Sequence, residues 1–275
     1  MSLSLFRFEP NDSGLIECFV ENGFVIIRSA VLTESIDKLH NFVSKRYSEE
    51  KKTFLKRGEE KNLPVLGISR KIVEEVQNTS LYPELTQANQ LLDSCEKIIG
   101  PDLSLVNWLN LWINDPEDPS IVTNKSLHQE AWSGQSVDEL TVWVPLHEPD
   151  NDNSMSVIPQ SHYFGLMPNR NRNLVIPPDF KVPEEIILTL EKGEAVLFHA
   201  LLLHKTTGRG KNMRFACSFT VRNTLAQLGV STSYQGFFPV RRSAFTRIRK
   251  TLGNDHLTPL RTYGGKTSNK EILDY

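Results

Sequence analysis

The sequence predicts a mainly β protein with flanking helices, an α+β arrangement, and three observations carry that expectation. Before about residue 102, apolar residues recur at helical spacing between short breaks. After it, short apolar segments follow one another closely: "LSLVNWLNLWI", "ELTVWVPL", "MSVIP", "EIILTL", "EAVLFHALLLH" and "MRFACSFTVR". Gly, Pro, Asn and Asp separate them, as in a sandwich, jelly roll or barrel. The third observation is the alternation inside "MRFACSFTV". Met213, Phe215, Cys217, Phe219 and Val221 fall on one side of an extended chain; Arg214, Ala216, Ser218 and Thr220 fall on the other. The first set suits packing against helices or a second sheet. The second is small and polar, suits a cavity wall, and carries one long cation.

Taken in order, "GFVIIRSAVL" (23–32) reads as a strand leading into a helix with Thr33 as N-cap. Leu32, Ile36, Leu39 and Val43 make that helix's apolar stripe. "SEEKKTFLKRGEEKNLP" (48–64) is charged and reads as the helix end and a loop. "LYPELTQANQLLDSCEKIIGP" (81–101) reads as a second helix with Ala88, Leu91, Leu92, Cys95 and Ile99 buried, stopped by Gly100-Pro101. The expected organisation is a single domain over 1–275. A helical part of about 1–101 packs on a β core of about 102–225, and 226–275 forms a C-terminal extension.

Composition narrows the function classes. With 39% hydrophobic and 23% charged residues and a formal net charge of −2, the chain has material for a sizeable core. It lacks the basic excess of a nucleic-acid or membrane-surface binder. Three widely spaced cysteines, Cys18, Cys95 and Cys217, exclude a CxxC thiolate zinc site. Neither a signal peptide nor a membrane span is evident, so the expected compartment is the cytoplasm.

The chemistry centres on "SLHQEAW" (126–132). His128 and Glu130 stand at i and i+2, so on an extended backbone both side chains reach the same face and can share a metal. Alone, an HxE pair is more often two polar side chains on a strand edge. A third ligand would complete a 2-His-1-carboxylate facial triad, which leaves positions open on Fe(II). The candidates are His147, His162, His199 and His204. His204 precedes the cavity-facing Arg214 by ten residues (214 − 204). A metal-ligating histidine followed by a guanidinium on the next strand suits an iron site that also holds an organic dicarboxylate.

Four stretches together resemble the phytanoyl-CoA dioxygenase-like family of Fe(II)/2-oxoglutarate oxygenases. They are "GFVIIRSAVLTESIDKL", "LHQEAW", "LTVWVPLHEPDNDNSMSVIPQSHYFG" and "GEAVLFHALLLHKTTGRGKNMR". The resemblance runs from about Gly23 to about Arg222. It implies a double-stranded β-helix core (jelly roll, cupin-like) and a dioxygenase that hydroxylates or otherwise oxidises a small-molecule metabolite, releasing succinate and CO2. The implied cofactors are Fe(II), 2-oxoglutarate and O2. His128, Glu130 and His204 take the metal positions and Arg214 the far carboxylate of 2-oxoglutarate. Thr206 assists there, and Asn110 and Trp112 stand where the family places further co-substrate contacts. Trp132, Trp143 and His199 are candidates to line the substrate pocket; the other reading is core for the two tryptophans and a packed or hydrogen-bonded strand histidine for His199.

The chain departs from the family pattern at three points. Glu130 replaces the usual aspartate, Pro159-Gln160-Ser161-His162 lacks the family glycine, and "HKTTGRGKN" replaces "HGSGPN". A retained carboxylate argues against a halogenase. Other expectations are that His162 orients the loop after Pro159 and His147, His40 and His256 lie at the surface. Asn151, Asp152 and Asn153 form a turn, and Arg209 and Arg222 are solvated or meet an anionic substrate. The segments 48–64 and "SYQGFFPVRRSAF" are candidates to close over the substrate. The alternatives are a non-redox small-molecule-binding jelly roll, a degenerate oxygenase, or a zinc hydrolase on the same ligands. Oligomeric state stays open.

Overall fold

The structure is a computed structural model of the 275-residue chain and describes residues 2–56, 63–117, 126–147, 154–170, 173–176, 178, 180–207, 212–224, 237–244 and 247. The chain opens with β1 (Arg7–Phe8), α1 (Leu15–Asn22) and β2 (Phe24–Ile27). Four further helices follow: α2 (Thr33–Lys56), α3 (Val65–Gln77), α4 (Leu81–Thr86) and α5 (Asn89–Ile99). Then come β3 (Leu103–Val106), β4 (Asn110–Asn114), β5 (Glu139–Pro145), β6 (Met155–Val157) and the hairpin β7 (Asn169–Arg170)–β8 (Asn173–Leu174). The last strands are β9 (Ile186–Leu188), β10 (Ala195–His199), β11 (His204–Thr206), β12 (Arg214–Asn223) and β13 (Phe237–Arg241).

The large sheet runs β1-β2-β10-β5-β12-β3-β13, with β4 also paired to β12; the small sheet runs β11-β6-β9. This is the expected jelly roll. Two hydrophobic layers hold it. In one, Val25, Ile27, Leu140, Val142, Leu197, Phe215, Cys217 and Phe219 pack with helix residues such as Ile36, Leu39, Val43, Ile72 and Leu91. In the other, Phe24, Ile26, Trp143, Val196, Phe198 and Ala216 of the large sheet meet Met155, Val157 and Leu188 of the small one. Strand residues therefore alternate between helix layer and inter-sheet layer, as "MRFACSFTV" predicts. Because both faces of the large sheet are covered, β2 and β10 read as continuous apolar runs. Burying each such side chain contributes about 1.5–3 kcal/mol.

The helical layer is richer than expected: five α-helices appear among the described residues, where two are read from the sequence. α1 is short, and α3 carries Lys71, Glu74 and Glu75 among its apolar positions, so neither stands out by composition. The predicted helix over 81–101 is two helices, broken at Gln87-Ala88. Leu91, Leu92 and Cys95 are buried, whereas Ala88 and Ile99 are half-buried. α2 begins one residue earlier than predicted, since Leu32 O accepts from Ile36 N, which makes Thr33 its first residue rather than its cap. Leu32 is exposed, and Tyr47 extends the buried stripe instead. Most of the first half of 48–64 is helix, to Lys56. β13 pairs with β3 at the sheet edge, so that part of the proposed C-terminal lid is a sheet strand; 225–236 lie outside the described residues.

Two loop positions explain local sequence choices. Gly23 ends α1 with φ +78°, and a Cβ there would stand 2.5 Å from His162 Nδ1. His162 Nε2 in turn donates to Val20 O, so the histidine staples the loop after Pro159 onto α1, in line with its expected orienting role. Gln160, where the family has glycine, keeps the left-handed conformation at φ +65°. A side chain is strained there. Gln160→Gly should therefore raise stability by up to about 1 kcal/mol in urea unfolding; a loss would show that the glutamine makes a compensating contact.

Candidate metal centre

His128 is placed by an isolated antiparallel bridge to His204, each backbone N–H donating to the other's carbonyl at 3.0 Å. This bridge extends the small sheet by one pair beyond β11. It sets the two imidazoles side by side, centroids 4.1 Å apart. Gln129 is extended, and at Glu130 the chain turns into a 3₁₀ turn, Glu130–Ser133. His128 and Glu130 so project to one side, as the i, i+2 spacing predicts.

Glu130 Oε1 lies 3.3 Å from His204 Nε2 and 3.6 Å from His128 Nε2. Ligand atoms held about 2.1 Å from one ion are about 3.0 Å apart at right angles and about 3.4 Å apart at tetrahedral angles. The donors therefore fit a single divalent cation, and the three side chains form a cluster with ligand atoms within 4.8 Å of one another. Each imidazole is oriented from behind: His128 Nδ1 lies 2.8 Å from Ser126 O and His204 Nδ1 3.0 Å from Leu202 O. With Nδ1–H donating to a carbonyl, the Nε2 lone pair points at the cluster, the arrangement that metal-ligating histidines use. His147, His162 and His199 are not part of the cluster.

Gln129, between the two ligands, is a residue that sequence reading misses. Buried, it donates to Gly165 O and Leu201 O and accepts from Met167 N. It ties the 128–130 strand to the loop that carries His204. Its signal was its position: the middle residue of an extended triplet must point away from the site and into the core. Gln129→Leu leaves these groups unmatched, and we expect a loss of about 1–3 kcal/mol in urea unfolding. Metal retention should weaken about 10–100-fold, as for other supporting groups. Unchanged retention on dialysis would show that Gln129 is a core residue only.

A small cavity of about 40 Å³ opens beside the cluster, lined by His128, Glu130, His204, Thr206, Arg214, Trp112, Trp143 and Phe198, among others. Arg214, on β12, is buried. Its Nη1 donates to Ser154 O at 2.9 Å, its Nε has no hydrogen-bond partner, and no carboxylate among the described residues pairs with it. Burial pushes its pKa down to about 10, which still leaves it charged at neutral pH. A buried, underpartnered guanidinium beside a metal-ligand cluster is chemically suited to an anionic guest. The donors thus fit a dicarboxylate as well as a metal.

The other predicted site residues divide. Thr206, Trp112 and Trp143 line this cavity, although Trp112 Nε1 donates to Ser218 Oγ and so presents its ring. Asn110 instead lines an adjoining groove of about 750 Å³, which shares Trp112, Glu130, Thr141 and Ser218 with the cavity. Trp132 turns away: its Nε1 donates to Met167 O and its ring packs with Ile158 and Leu203. His199 also lies elsewhere, at the far end of β10, where its Nδ1 accepts from Leu201 N and its ring is 5.6 Å from that of His162. Arg222 is buried 3.9 Å from Glu139, neither solvated nor in the cavity. His40 and His147 are half-buried, with His40 edge-on to Phe215. Residues 151–153, Arg209 and His256 lie outside the described residues.

His199 has a consequence for stability. Burial first, then the neighbouring His162, lowers its pKa to about 4. The unfolded chain, with an ordinary value near 6.5, binds the proton that the folded chain refuses. Stability is therefore complete above about pH 6.5 and falls as pH drops toward 4. His199→Asn, which can still accept from Leu201 N, should flatten the decline in Tm over that window. An equal slope in both proteins would remove His199 as its source.

Comparison with known proteins follows the same lines. A sequence model described as "Phytanoyl-CoA dioxygenase (PhyH)" matches residues 19–216. The peroxisomal phytanoyl-CoA dioxygenase of Bos taurus is 26% identical over 229 residues, covering 74% of this chain and 67% of the bovine one. Among solved structures, a non-heme monooxygenase, ThoJ, in its apo form is similar at TM-score 0.64 and 17% identity, over 83% of this chain and 84% of that one. The epimerase SnoN, solved with Fe3+, alpha ketoglutarate and nogalamycin RO, is similar at TM-score 0.56 and 17% identity, over 78% of this chain and 84% of that one. At these identities the structural likeness speaks for the fold.

Proposed function

Because the chain belongs to the phytanoyl-CoA dioxygenase family, we propose that it is a non-haem Fe(II)- and 2-oxoglutarate-dependent dioxygenase that oxidises, and in the first instance hydroxylates, a small organic molecule. One observation carries the reading: the His128–Glu130–His204 cluster shares its cavity with a buried Arg214 that has no carboxylate partner among the described residues. A zinc hydrolase needs the first feature and has no use for the second.

The chemistry supplied by bound Fe(II), 2-oxoglutarate and O2 is oxidative decarboxylation to succinate and CO2, coupled to two-electron oxidation of the substrate. The chain's own residues supply position and environment. His128 and His204 present Nε2 with their tautomers held by Ser126 O and Leu202 O. Glu130 offsets two units of metal charge in part and leaves one face of the cluster toward the groove. Arg214 would pair with the far carboxylate of 2-oxoglutarate, and Thr206, which lines the same cavity, would assist it. Trp143, Phe198 and Met155 wall the cavity and keep water from the reacting atoms.

Residues 1–275 are read as one catalytic domain, since β1 and β2 of the N-terminal part are strands of the same sheet as β10, β5 and β12. Three free cysteines suit a reducing compartment, and the cytoplasm is the proposed one. No described helix is long and apolar enough to cross a membrane. The test is turnover of 2-oxoglutarate labelled at C1, with a panel of small organic substrates. Labelled CO2 and an equal amount of succinate, both requiring Fe(II), are expected. Tight binding of a substrate with no succinate under any metal would instead identify a non-redox binding protein.

A further inference from the structure

The groove beside Glu130 has a charge pattern that the iron and 2-oxoglutarate reading does not use. Its floor is β4, β12 and the Trp108–Leu109 link, and its rim is α3. Among the described residues that line it, only Arg70 and Glu130 carry charge. Glu130 belongs to the metal cluster. That leaves Arg70, on the exposed face of α3, as the groove's remaining formal charge. Of the neighbouring charges on α3, Lys71 pairs with Glu50 and Glu75 with Arg46, while the exposed Glu74, one turn on from Arg70, makes no ion pair with it among the described residues. Arg70 has no ion pair or side-chain hydrogen bond among the described residues. The rest of the lining is mixed: Trp108, Trp112, Leu66 and Val73 are flat or apolar, and Ser69, Asn110, Gln135 and Thr141 are uncharged polar groups.

We propose that this groove takes a carboxylic acid with a flat apolar body as substrate, and that Arg70 is the specificity residue that meets its carboxylate. The planar guanidinium fork matches a carboxylate with two parallel N–H···O bonds. The indole of Trp108 offers a face for a ring, and Gln135, whose side chain accepts from Thr141 Oγ1, completes the polar wall. At about 750 Å³ the groove falls within the roughly 300–1,000 Å³ of an ordinary small-molecule site, so it has room for a ring-bearing acid. With the carboxylate at Arg70, the body of the acid runs along Trp108 and Trp112 to the open side of Glu130. The proposal rests on the oxygenase reading for the identity of the groove as a substrate site, but Arg70 and Arg214 separate the two.

The experiment is calorimetric titration of the full chain, loaded with Ni(II) and saturating 2-oxoglutarate, with 2-naphthoate and with 2-naphthamide. The two probes share shape and differ in charge. 2-Naphthoate should bind about three- to fivefold tighter, the scale of one partly exposed ion pair. Arg70→Gln should remove the difference, Arg70→Lys should keep part of it, and none of the three proteins should differ in 2-oxoglutarate affinity. Arg214→Gln should do the reverse, losing 2-oxoglutarate while keeping the preference for the acid. Equal affinities in the wild type, a preference that survives Arg70→Gln, or no binding of either probe at millimolar concentration would each overturn the proposal. Loss of 2-oxoglutarate binding in the wild type would count against the oxygenase reading alone.

Discussion

Purified with alanine in place of His204, the protein is expected to retain no iron after dialysis and to form no succinate. His204 makes two kinds of contact at once. Its Nε2 stands 3.3 Å from Glu130 Oε1, inside the ligand cluster, and its backbone exchanges both hydrogen bonds with His128. The alanine variant keeps the backbone pair and removes the imidazole, with its ring contacts to Phe198 and His128, so the fold should survive while the site loses a third of its ligands. Loss of a group that merely supports a ligand costs about 10–100-fold in metal affinity; loss of the ligand itself should exceed that. Far-ultraviolet circular dichroism and bound-metal analysis on the same sample check both halves. An unfolded variant is answered by Glu130→Gln, which keeps shape and burial but removes the negative charge. If either folded variant holds iron at wild-type stoichiometry, the cluster is not the metal site.

Arg214→Met should separate binding from stability. Removing one partner of a buried charge-assisted pair costs roughly 2–5 kcal/mol, or about 30- to 5,000-fold in Kd, and 2-oxoglutarate affinity should fall by that amount. Without co-substrate the same change should leave Tm unchanged or raise it, because among the described residues the buried guanidinium meets a single carbonyl. Ser154 O is not stranded by the loss, since Thr207 N also donates to it. A fall in Tm with unchanged 2-oxoglutarate affinity would make Arg214 a structural residue and remove the reason for preferring an oxygenase to a hydrolase.

The sequence carried the jelly roll well because its strands obey simple rules. β12 alternates between the helix layer and the inter-sheet cavity, and that period of two is visible in "MRFACSFTV". The metal cluster was legible for a related reason: His128 and Glu130 are local, and local spacing on an extended chain decides which side chains share a face. Among His147, His162, His199 and His204, the last is favoured by its position ten residues before Arg214 and by the family resemblance; the strand pairing that brings it to His128, across seventy-six residues (204 − 128), is seen only in the structure.

What escaped was set by tertiary packing. His199 and Trp132 are each close in sequence to a ligand, yet His199 faces α1 and Trp132 faces Met167. One residue of strand direction or one turn of 3₁₀ helix decides that, and neither is written in composition. α3 was missed because its polar positions hide its apolar stripe of Val65, Ile68, Ile72, Val73 and Val76. It is nonetheless the element that brings Arg70 to the groove. Gln129, which the sequence reading did not single out, is a core amide whose nitrogen donates twice and whose oxygen accepts once.

The most direct test of the central claim needs no substrate. Metal-free protein is loaded anaerobically with Fe(II), 2-oxoglutarate is added, and the visible difference spectrum is recorded for the wild type, His204→Ala and Arg214→Met. A weak charge-transfer band that requires both iron and 2-oxoglutarate, vanishes in His204→Ala and needs far more 2-oxoglutarate in Arg214→Met is the predicted result. Retained iron with no band at any 2-oxoglutarate concentration, or a band indifferent to Arg214, would contradict it.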